Sequence, residues 1–305
     1  MKTLITPLTR LPQGGFNVAK AGFRFSQNCL CALTGLVFAA LFLFTYSGAV
    51  LAATAPPLGS TSTYGVVSQA FTNSNTAPQT IINGDVCYTT PPVTPPLLIT
   101  GATVVPCPPP TGTDQGLAVA NLNGQICTFL GAGAITLDSV IIGANPPGTI
   151  PPGCYFSGGA MNVTATTTVT LNGAGVYVFR PGGALTTGAN SRVILANGAC
   201  ASDVFWAPVA ATTIGANAAL SPTPTFVGNI LDAAGISIGH FANLTGRALA
   251  FGGTVTTDAA TITVPTCVPF GGNPANIPTL SEWAMILLAG ILAFVGFAAL
   301  RRQER

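Results

Sequence analysis

The chain has 305 residues, of which 6% are charged and 49% are hydrophobic, and its formal net charge is +2. Soluble domains have roughly 25% charged residues. The composition excludes an intrinsically disordered polar chain, which needs many charges and few apolar residues. It also excludes a coiled coil, and it disfavours a cytosolic enzyme because few ionisable groups are available for chemistry.

The N-terminal 52 residues are predicted to be a secretory signal peptide. Residues 1–28 contain four basic residues and no acidic residue, and residues 30–46 form an uncharged apolar run. Small residues then precede a cleavage point after Ala52, as a signal peptidase requires. The alternative is an uncleaved membrane anchor.

Residues 53–276 have a charge balance opposite to that of the whole chain. They contain three arginines, six aspartates, no lysine and no glutamate, which gives a net charge of −3. Nucleic-acid binding requires a clustered basic surface. We therefore predict no nucleic-acid partner.

The same segment contains an even number of cysteines, which indicates disulfide bonds in an exported chain. We expect Cys87 to pair with Cys107 across a proline-rich loop, and the other pairings stay open. The spacings contain no CxxC and no zinc pattern with histidine, so we predict no metal and no cofactor. The six candidates are Cys87, Cys107, Cys127, Cys154, Cys200 and Cys267.

One helix is predicted after the proline-rich loop. Thr113 and Asp114 could cap its N-terminus, and four apolar residues follow at helical spacing. These are Ala118, Leu122, Ile126 and Phe129. A helix lying alongside a β-structure would bury this stripe.

Further along the chain, threonines alternate with other residues. If this segment is one strand, its hydroxyl groups all lie on one side, because side chains alternate along a strand. The threonines are Thr164, Thr166, Thr168 and Thr170. They form a candidate binding surface.

Four segments of the second half align with one another, over residues 185–190, 212–217, 236–241 and 255–260. A second apolar strand precedes each segment, and Gly, Asn and Pro separate them. This repeat predicts a β-solenoid. The first and third positions of each segment are mostly β-branched or Leu and should point inward, whereas the second position should point outward. The second positions, our first candidate surface, are Thr186, Thr213, Ser237 and Thr256.

The single histidine, His240, lies in the third of these segments, where we expect a surface turn rather than a general base. A polysaccharide lyase on a β-helix would need a carboxylate cluster for calcium and a basic catalyst. The aspartates and arginines of this chain fall at different positions of the repeat. We therefore predict that the protein is not an enzyme.

The C-terminus resembles a bacterial sorting signal. Residues 284–300 are apolar or small and just long enough to span a bilayer, and Arg301, Arg302 and Arg305 follow. A seven-residue motif stands before the apolar segment: Ile277, Pro278, Thr279, Leu280, Ser281, Glu282 and Trp283. Motif, apolar helix and arginine tail resemble the IPTL-CTERM sorting tail of Gram-negative bacteria. The resemblance implies recognition by an exosortase-type enzyme and a cell-surface location, with membrane anchoring before sorting. The alternative is a plain single-pass anchor.

Between the signal peptide and a linker at 265–276, residues 53–264 form one predicted domain, which resembles the ice-binding-like (DUF3494) family. The resemblance is carried by motifs such as Pro151-Pro-Gly-Cys-Tyr155, Gly175-Val-Tyr-Val-Phe179 and Leu244-Thr-Gly-Arg-Ala-Leu249. It implies a mostly β fold, an irregular right-handed β-solenoid of triangular section with one α-helix packed alongside. Some ice-binding members repeat Thr-(Ala/Gly)-x-(Thr/Asn); residues 100–103 and 187–190 fit this motif, and three equivalent segments depart from it.

Two functional hypotheses follow. The first is adsorption to ice by a flat, hydroxyl-rich face that orders water and needs no cofactor. The second is a surface adhesin or structural coat protein without affinity for ice, whose flat face would bind an extracellular surface ligand. A fold by itself does not decide between them.

Overall fold

A computed structural model describes residues 52–74, 78–96, 98–267 and 290–291. The sorting motif, the signal peptide up to residue 51 and most of the predicted membrane helix lie outside these residues and stay predictions. Within the described residues, no helix is both long and apolar enough to cross a membrane.

The predicted mostly β architecture is confirmed. The helix α1 spans Pro109–Asn123, and short 3-10 turns cover Gly59–Thr61, Leu137–Ser139 and Ala201–Asp203. In chain order the strands are β1 (Tyr64–Asn73), β2 (Ile81–Asn83), β3 (Asp85–Thr90), β4 (Leu98–Ile99), β5 (Thr103–Val104), β6 (Thr128–Gly131), β7 (Ile135–Thr136), β8 (Thr149–Ile150), β9 (Gly153–Ser157), β10 (Met161–Val163), β11 (Thr168–Asn172), β12 (Tyr177–Pro181), β13 (Leu185–Thr187), β14 (Arg192–Ala196), β15 (Val204–Trp206), β16 (Thr212–Ile214), β17 (Phe226–Leu231), β18 (Ile236–Ile238), β19 (Asn243–Thr257) and β20 (Thr261–Thr263).

The strands wind into a solenoid with three faces. One turn of the chain runs through β11, β12 and β13, and the next runs through β14, β15 and β16 directly beside it. Each strand pairs in parallel with its counterpart in the next turn. We call the face containing β11 and β14 the third face, the one containing β12 and β15 the helix face, and the one containing β13 and β16 the ladder face. One turn is called a rung.

The interior of the solenoid is filled by side chains that the parallel register stacks on one another. Tyr155, Phe179 and Trp206 occupy equivalent positions on β9, β12 and β15. Their ring centroids are 5.6 and 4.1 Å apart, and Phe226 continues the stack at 5.1 Å from Trp206. Such stacked aromatic pairs contribute about 0.5–1.5 kcal/mol each beyond their buried area.

Helix α1 packs on the helix face, as predicted, but its limits and half of its predicted stripe are wrong. The helix begins at Pro109, because proline suits a first helical position, and it ends at Asn123. Ala118 and Leu122 are fully buried in a second apolar cluster, between the helix and the solenoid. Ile126 and Phe129 lie beyond the helix and are 73% and 59% exposed.

The predicted cap, Asp114, has a different role. It lies inside helix α1, and its carboxylate accepts hydrogen bonds from the Ser60 backbone N–H at 2.7 Å and from the Ser60 hydroxyl at 2.6 Å. These bonds hold the pKa of Asp114 below its usual range. The aspartate therefore joins the helix to the segment that precedes β1.

The first strand of the domain does not begin the solenoid. Strand β1 lies between β19 and β3 and pairs in parallel with both. The chain therefore builds the rung that follows β19 from β20 and β1. After β5, helix α1 returns the chain to β6, from which the remaining rungs run in order.

Three disulfide bonds connect the six predicted cysteines. Cys87 pairs with Cys107, as expected. Cys127 pairs with Cys154, and Cys200 pairs with Cys267. The sequence had left these last two pairings open.

Candidate functional site

The predicted alignment of the four repeat segments is confirmed on the ladder face. Thr186 on β13 pairs with Thr213 on β16, Thr213 with Ser237 on β18, and Ser237 with Thr256 on β19. These residues therefore stand in one line across successive strands. Because neighbouring strands are about 4.8 Å apart, their side chains repeat at that spacing.

The line extends beyond the four predicted residues at both ends. Asn162 pairs with Thr186 and with Thr136, and Thr72 pairs with Thr256. We call these seven residues the hydroxyl column, although one of them contributes an amide. In spatial order they are Thr136, Asn162, Thr186, Thr213, Ser237, Thr256 and Thr72.

Sequence reasoning missed three of the seven. Asn162 lies between apolar residues and 24 residues before Thr186, so its spacing could have revealed it. Thr72 could not have been found in this way, because it reaches the column only through the insertion of β1 beside β19.

The column points outward because its neighbours along each strand fill the core. In β13, β16 and β18 the first and third residues are buried and the middle residue is exposed. Leu185 and Ile236, for example, are at most 1% exposed. Moving these strands by one residue would exchange the core and the surface, so the apolar positions fix the column.

A second outward column runs beside the first and consists mainly of small side chains. Each member precedes a column residue by two positions in the chain, and five of the seven stand immediately before the strand that carries the column residue. The members are Ala134, Ala160, Ala184, Ala211, Gly235, Thr254 and Ala70. Small residues here leave the hydroxyl column unobstructed.

The solenoid turns sharply at both edges of the ladder face. At one edge, a Cβ atom on Gly215 would lie 2.4 Å from the carbonyl oxygen of Gly188 in the adjacent rung. At the other edge, a Cβ atom on Gly182 would lie 2.7 Å from the carbonyl oxygen of Gly158. Glycine permits these close backbone approaches, and successive rungs can therefore stack closely at both edges.

The hydroxyls at the centre of the column are available to solvent. The side-chain hydroxyl groups of Thr186, Thr213 and Ser237 have no hydrogen-bond partner among the described residues. The Thr72 hydroxyl, by contrast, donates to the Thr256 hydroxyl at 2.8 Å. No charged side chain belongs to either column. The two columns therefore present polar and methyl groups without a net charge.

One ionisable pair lies at the margin of the ladder face. His240 is on a turn beyond β18, as predicted, and its Nδ1 lies 3.1 Å from Asp258 Oδ1. Its ring contacts the ring of Phe241, with a centroid distance of 3.7 Å and an angle of 41° between the two planes. These contacts fit a turn-stabilising histidine.

A buried carboxylate supports the ladder face from below. Asp232 is 1% exposed and accepts hydrogen bonds from the Thr212 hydroxyl at 2.7 Å and from the Ala234 backbone N–H at 2.8 Å. Burial raises the pKa of Asp232, although its hydrogen bonds oppose this effect. Asp232 fixes the turn that leads from the helix face into the ladder face.

The second predicted surface, Thr164 to Thr170, is wrong in its geometry. Thr166 has a φ of 63°, in the left-handed region, and lies in a turn before β11. The four threonines are therefore divided between a corner and the third face. There, Thr170 pairs with Thr149 on β8, but Thr168 pairs with Arg192 and Thr170 with Ile194 on β14, so the line of hydroxyls ends after two strands.

The segment at 187–190, which fits the family's repeated motif, forms part of a corner. Thr187 is 5% exposed, and its hydroxyl accepts a hydrogen bond from the Gly215 backbone N–H at 2.9 Å. Asn190 adopts a φ of 57° and accepts from the Ala218 backbone N–H at 2.8 Å. In this chain, both side chains stabilise the turn beside the ladder face.

Comparisons with known proteins agree with this geometry. The family model described as ice-binding-like matches residues 59–263, and the model of the IPTL-CTERM motif matches residues 275–302. An ice-binding protein of Flavobacterium frigoris is 32% identical over 143 residues, which are 46% of this chain and 49% of that protein. Ice-binding protein 1 of Shewanella frigidimarina is 36% identical over 38% of this chain, but the match covers only 13% of that longer protein.

A solved structure shows the same fold. The ice-binding protein of Antarctomyces psychrotrophicus superposes with a TM-score of 0.58 and 29% identity, over 70% of this chain and all of that one. The match to the family model includes every rung of the solenoid and both columns of the ladder face. The chain therefore belongs to the ice-binding-like family.

Proposed function

We propose that this protein adsorbs to ice through the ladder face. The observation that supports this proposal is the hydroxyl column, in which seven outward polar residues stand in register on adjacent strands. Six inter-strand steps of about 4.8 Å give the column a length of about 29 Å. The ice-binding names of the similar proteins favour the same ligand.

The physical basis is a regular surface that can hold a layer of ordered water. Hydroxyl groups recur at about 4.8 Å across the strands, and the small residues that precede them in the chain leave them unobstructed. Immobilising a water that bridges polar groups costs little free energy. An uncharged face with methyl groups between its hydroxyls would orient such waters without binding ions.

The function requires neither a catalytic group nor a cofactor. We propose a non-enzymatic protein without a nucleic-acid partner, whose solenoid is right-handed as in its family. We further propose export by the N-terminal signal peptide and display on the surface of a Gram-negative cell, with an exosortase-type enzyme acting at the tail. The match to the sorting motif supports this location.

Bulky substitutions on the ladder face test the proposal. The pair Thr186→Tyr and Thr213→Tyr places two large rings at the centre of the column without changing a core position. We expect loss of thermal hysteresis and of ice-recrystallisation inhibition. Circular dichroism and a thermal unfolding scan would confirm that the fold is retained.

The matched control is the pair Thr168→Tyr and Thr170→Tyr, whose side chains belong to the third face. We expect this variant to keep the full activity. Loss of activity in the control alone would move the binding surface to the third face. A folded parent protein without any activity on ice would contradict the proposal and favour the adhesin or coat-protein hypothesis.

A further inference from the structure

The point where the chain leaves the solenoid is fixed by a disulfide bond. After β20 the backbone turns back along the molecule, and Cys267 bonds to Cys200. The Ser202 hydroxyl lies 3.4 Å from the carbonyl oxygen of Cys267 and 3.6 Å from its sulfur atom. The residues that lead to the sorting motif therefore start from a covalently fixed position.

That position is opposite the ladder face. Cys200 lies between β14 on the third face and β15 on the helix face. The corner between these two faces is the one farthest from the ladder face in a three-sided solenoid. A pull on the C-terminal tail is therefore transmitted to the solenoid at the corner opposite the ladder face.

The position is also central along the hydroxyl column. The rung that contains Cys200 continues into β16 and carries Thr213, the fourth of the seven column residues. Without the disulfide, the tail would leave from β20. That strand belongs to the rung of Thr72, at the end of the column, three rungs or about 14 Å away.

We propose that the Cys200–Cys267 disulfide makes the protein a tension-resistant adhesive tether, by placing the attachment point of its tail behind the middle of the ladder face. The inference rests on the proposed ice binding and on the sorting tail. Its ligand is the same ordered-water surface, and the new element is adhesion of the tethering surface under load.

The position of the load decides how the ladder face detaches from a surface. A flat face pulled at its centre shares the load among all its contacts, whereas a face pulled at one end breaks its contacts one after another. Without the disulfide, the load would also pass through β20, which has only three residues and is paired to β19 and β2. Detachment of β20 would expose the edges of its partner strands, β19 and β2.

The disulfide also protects part of the binding face from unravelling. Three column residues, Thr213, Ser237 and Thr256, lie between Cys200 and Cys267 in sequence. A pull on the tail cannot extend this closed loop while the bond is intact. The part of the ladder face that carries these three residues is therefore held by a covalent bond.

The experiment measures how long a loaded bead stays on ice. The full chain in detergent is coupled to beads through a peptide tag added after Arg305, and bound lifetimes are recorded at fixed force. We expect the double variant Cys200→Ser and Cys267→Ser to shorten the lifetime roughly tenfold, since forced detachment follows the unfolding rate of the loaded element. The matched control, Cys127→Ser with Cys154→Ser, removes a disulfide off the load path and should keep the lifetime within about twofold.

A second arm leaves all disulfides in place. The same tag inserted between Gly143 and Ala144 loads the rung of Thr136, at the other end of the column. We expect this folded protein to detach as easily as the double variant. Its lifetime therefore tests the position of the load independently of any loss of stability.

The outcomes separate this inference from the proposed function. Equal lifetimes for all attachment points, with firm binding of ice in the absence of load, would overturn the tether and leave ice binding intact. Failure of the parent chain to bind ice at zero load would overturn both.

Discussion

The ladder face and the third face are both rich in threonine, but they differ in how far their polar residues align. The ladder face aligns them over seven adjacent strands, whereas the third face has shorter sets, such as Thr149 with Thr170 and Thr245 with Thr263 and Asn83. On the ladder face, each hydroxyl or amide of the column pairs with another across the next strand. On the third face, Thr168 lies beside Arg192. The Arg192 guanidinium donates hydrogen bonds to the hydroxyl groups of Ser221 and Thr223. The loop that contains these two residues therefore contacts the third face.

The comparison shows that alternation within one strand does not make a binding surface. Threonine is common in strands because its branched side chain fits a pleated sheet. A regular surface requires the same residue type at the same position of several adjacent strands.

A charge at the centre of the ladder face should abolish activity. In Thr213→Asp a carboxylate would stand between Thr186 and Ser237 and orient water around itself instead of in a layer. We expect thermal hysteresis to disappear. Thr168→Asp on the third face is the matched control and should retain activity; equal loss in both variants would contradict a specific role of the ladder face.

Widening the corner beside the ladder face should destabilise the fold and reduce activity. In Gly215→Ala the new Cβ atom would meet the Gly188 carbonyl oxygen at 2.4 Å, so the two rungs must separate. We expect a loss of about 1–3 kcal/mol in the free energy of unfolding, as for other overpacked sites, measured by urea denaturation. Gly133→Ala, which has nothing within 4 Å of its new Cβ, should change stability much less.

The buried carboxylate below the ladder face should make stability depend on pH. Burial raises the pKa of Asp232 in the folded state. At pH values between the unfolded and the folded pKa, the folded state therefore binds more protons than the unfolded state. Stability contributed by this group therefore rises as the pH falls from neutral through the folded pKa. Relative to Asp232→Asn, the parent protein should gain stability in urea between pH 7 and pH 4; an unchanged difference would refute the shift.

Completing the threonine pattern should increase activity slightly. Ser237 occupies a column position where its neighbours Thr213 and Thr256 both have a methyl group. Ser237→Thr adds that methyl group at an exposed site, and it should raise thermal hysteresis by a small fraction without a change in melting temperature. A decrease would show that the methyl group is unfavourable at this position.

The repeating strands of the ladder face could be predicted from the sequence, whereas the Thr164 to Thr170 segment and the start of helix α1 could not. Alternating inward and outward residues fixed the register of β13, β16, β18 and β19, because a shift by one residue would bury hydroxyls. The Thr164 to Thr170 segment misled because nothing in its pattern marks the turn at Thr166. The start of helix α1 was missed because prolines suggested a loop, although proline is well suited to a first helical turn.

The insertion of β1 could not have been predicted from local patterns. Thr72 pairs with Thr256, which is 184 residues later in the chain. No repeat or spacing signals such a distant partner. The seventh column residue therefore became visible only in three dimensions.

The position of β1 also constrains how the protein is made. Strand β1 is among the first parts of the domain to be synthesised, yet one of its partner strands ends at Thr257. At about 5–20 residues per second, its long edge stays unpaired for roughly 10–40 seconds. Pairings of such long range are slow to form and expose chains to aggregation. The pairing of β1 with β19 must therefore wait until nearly the whole domain has been synthesised.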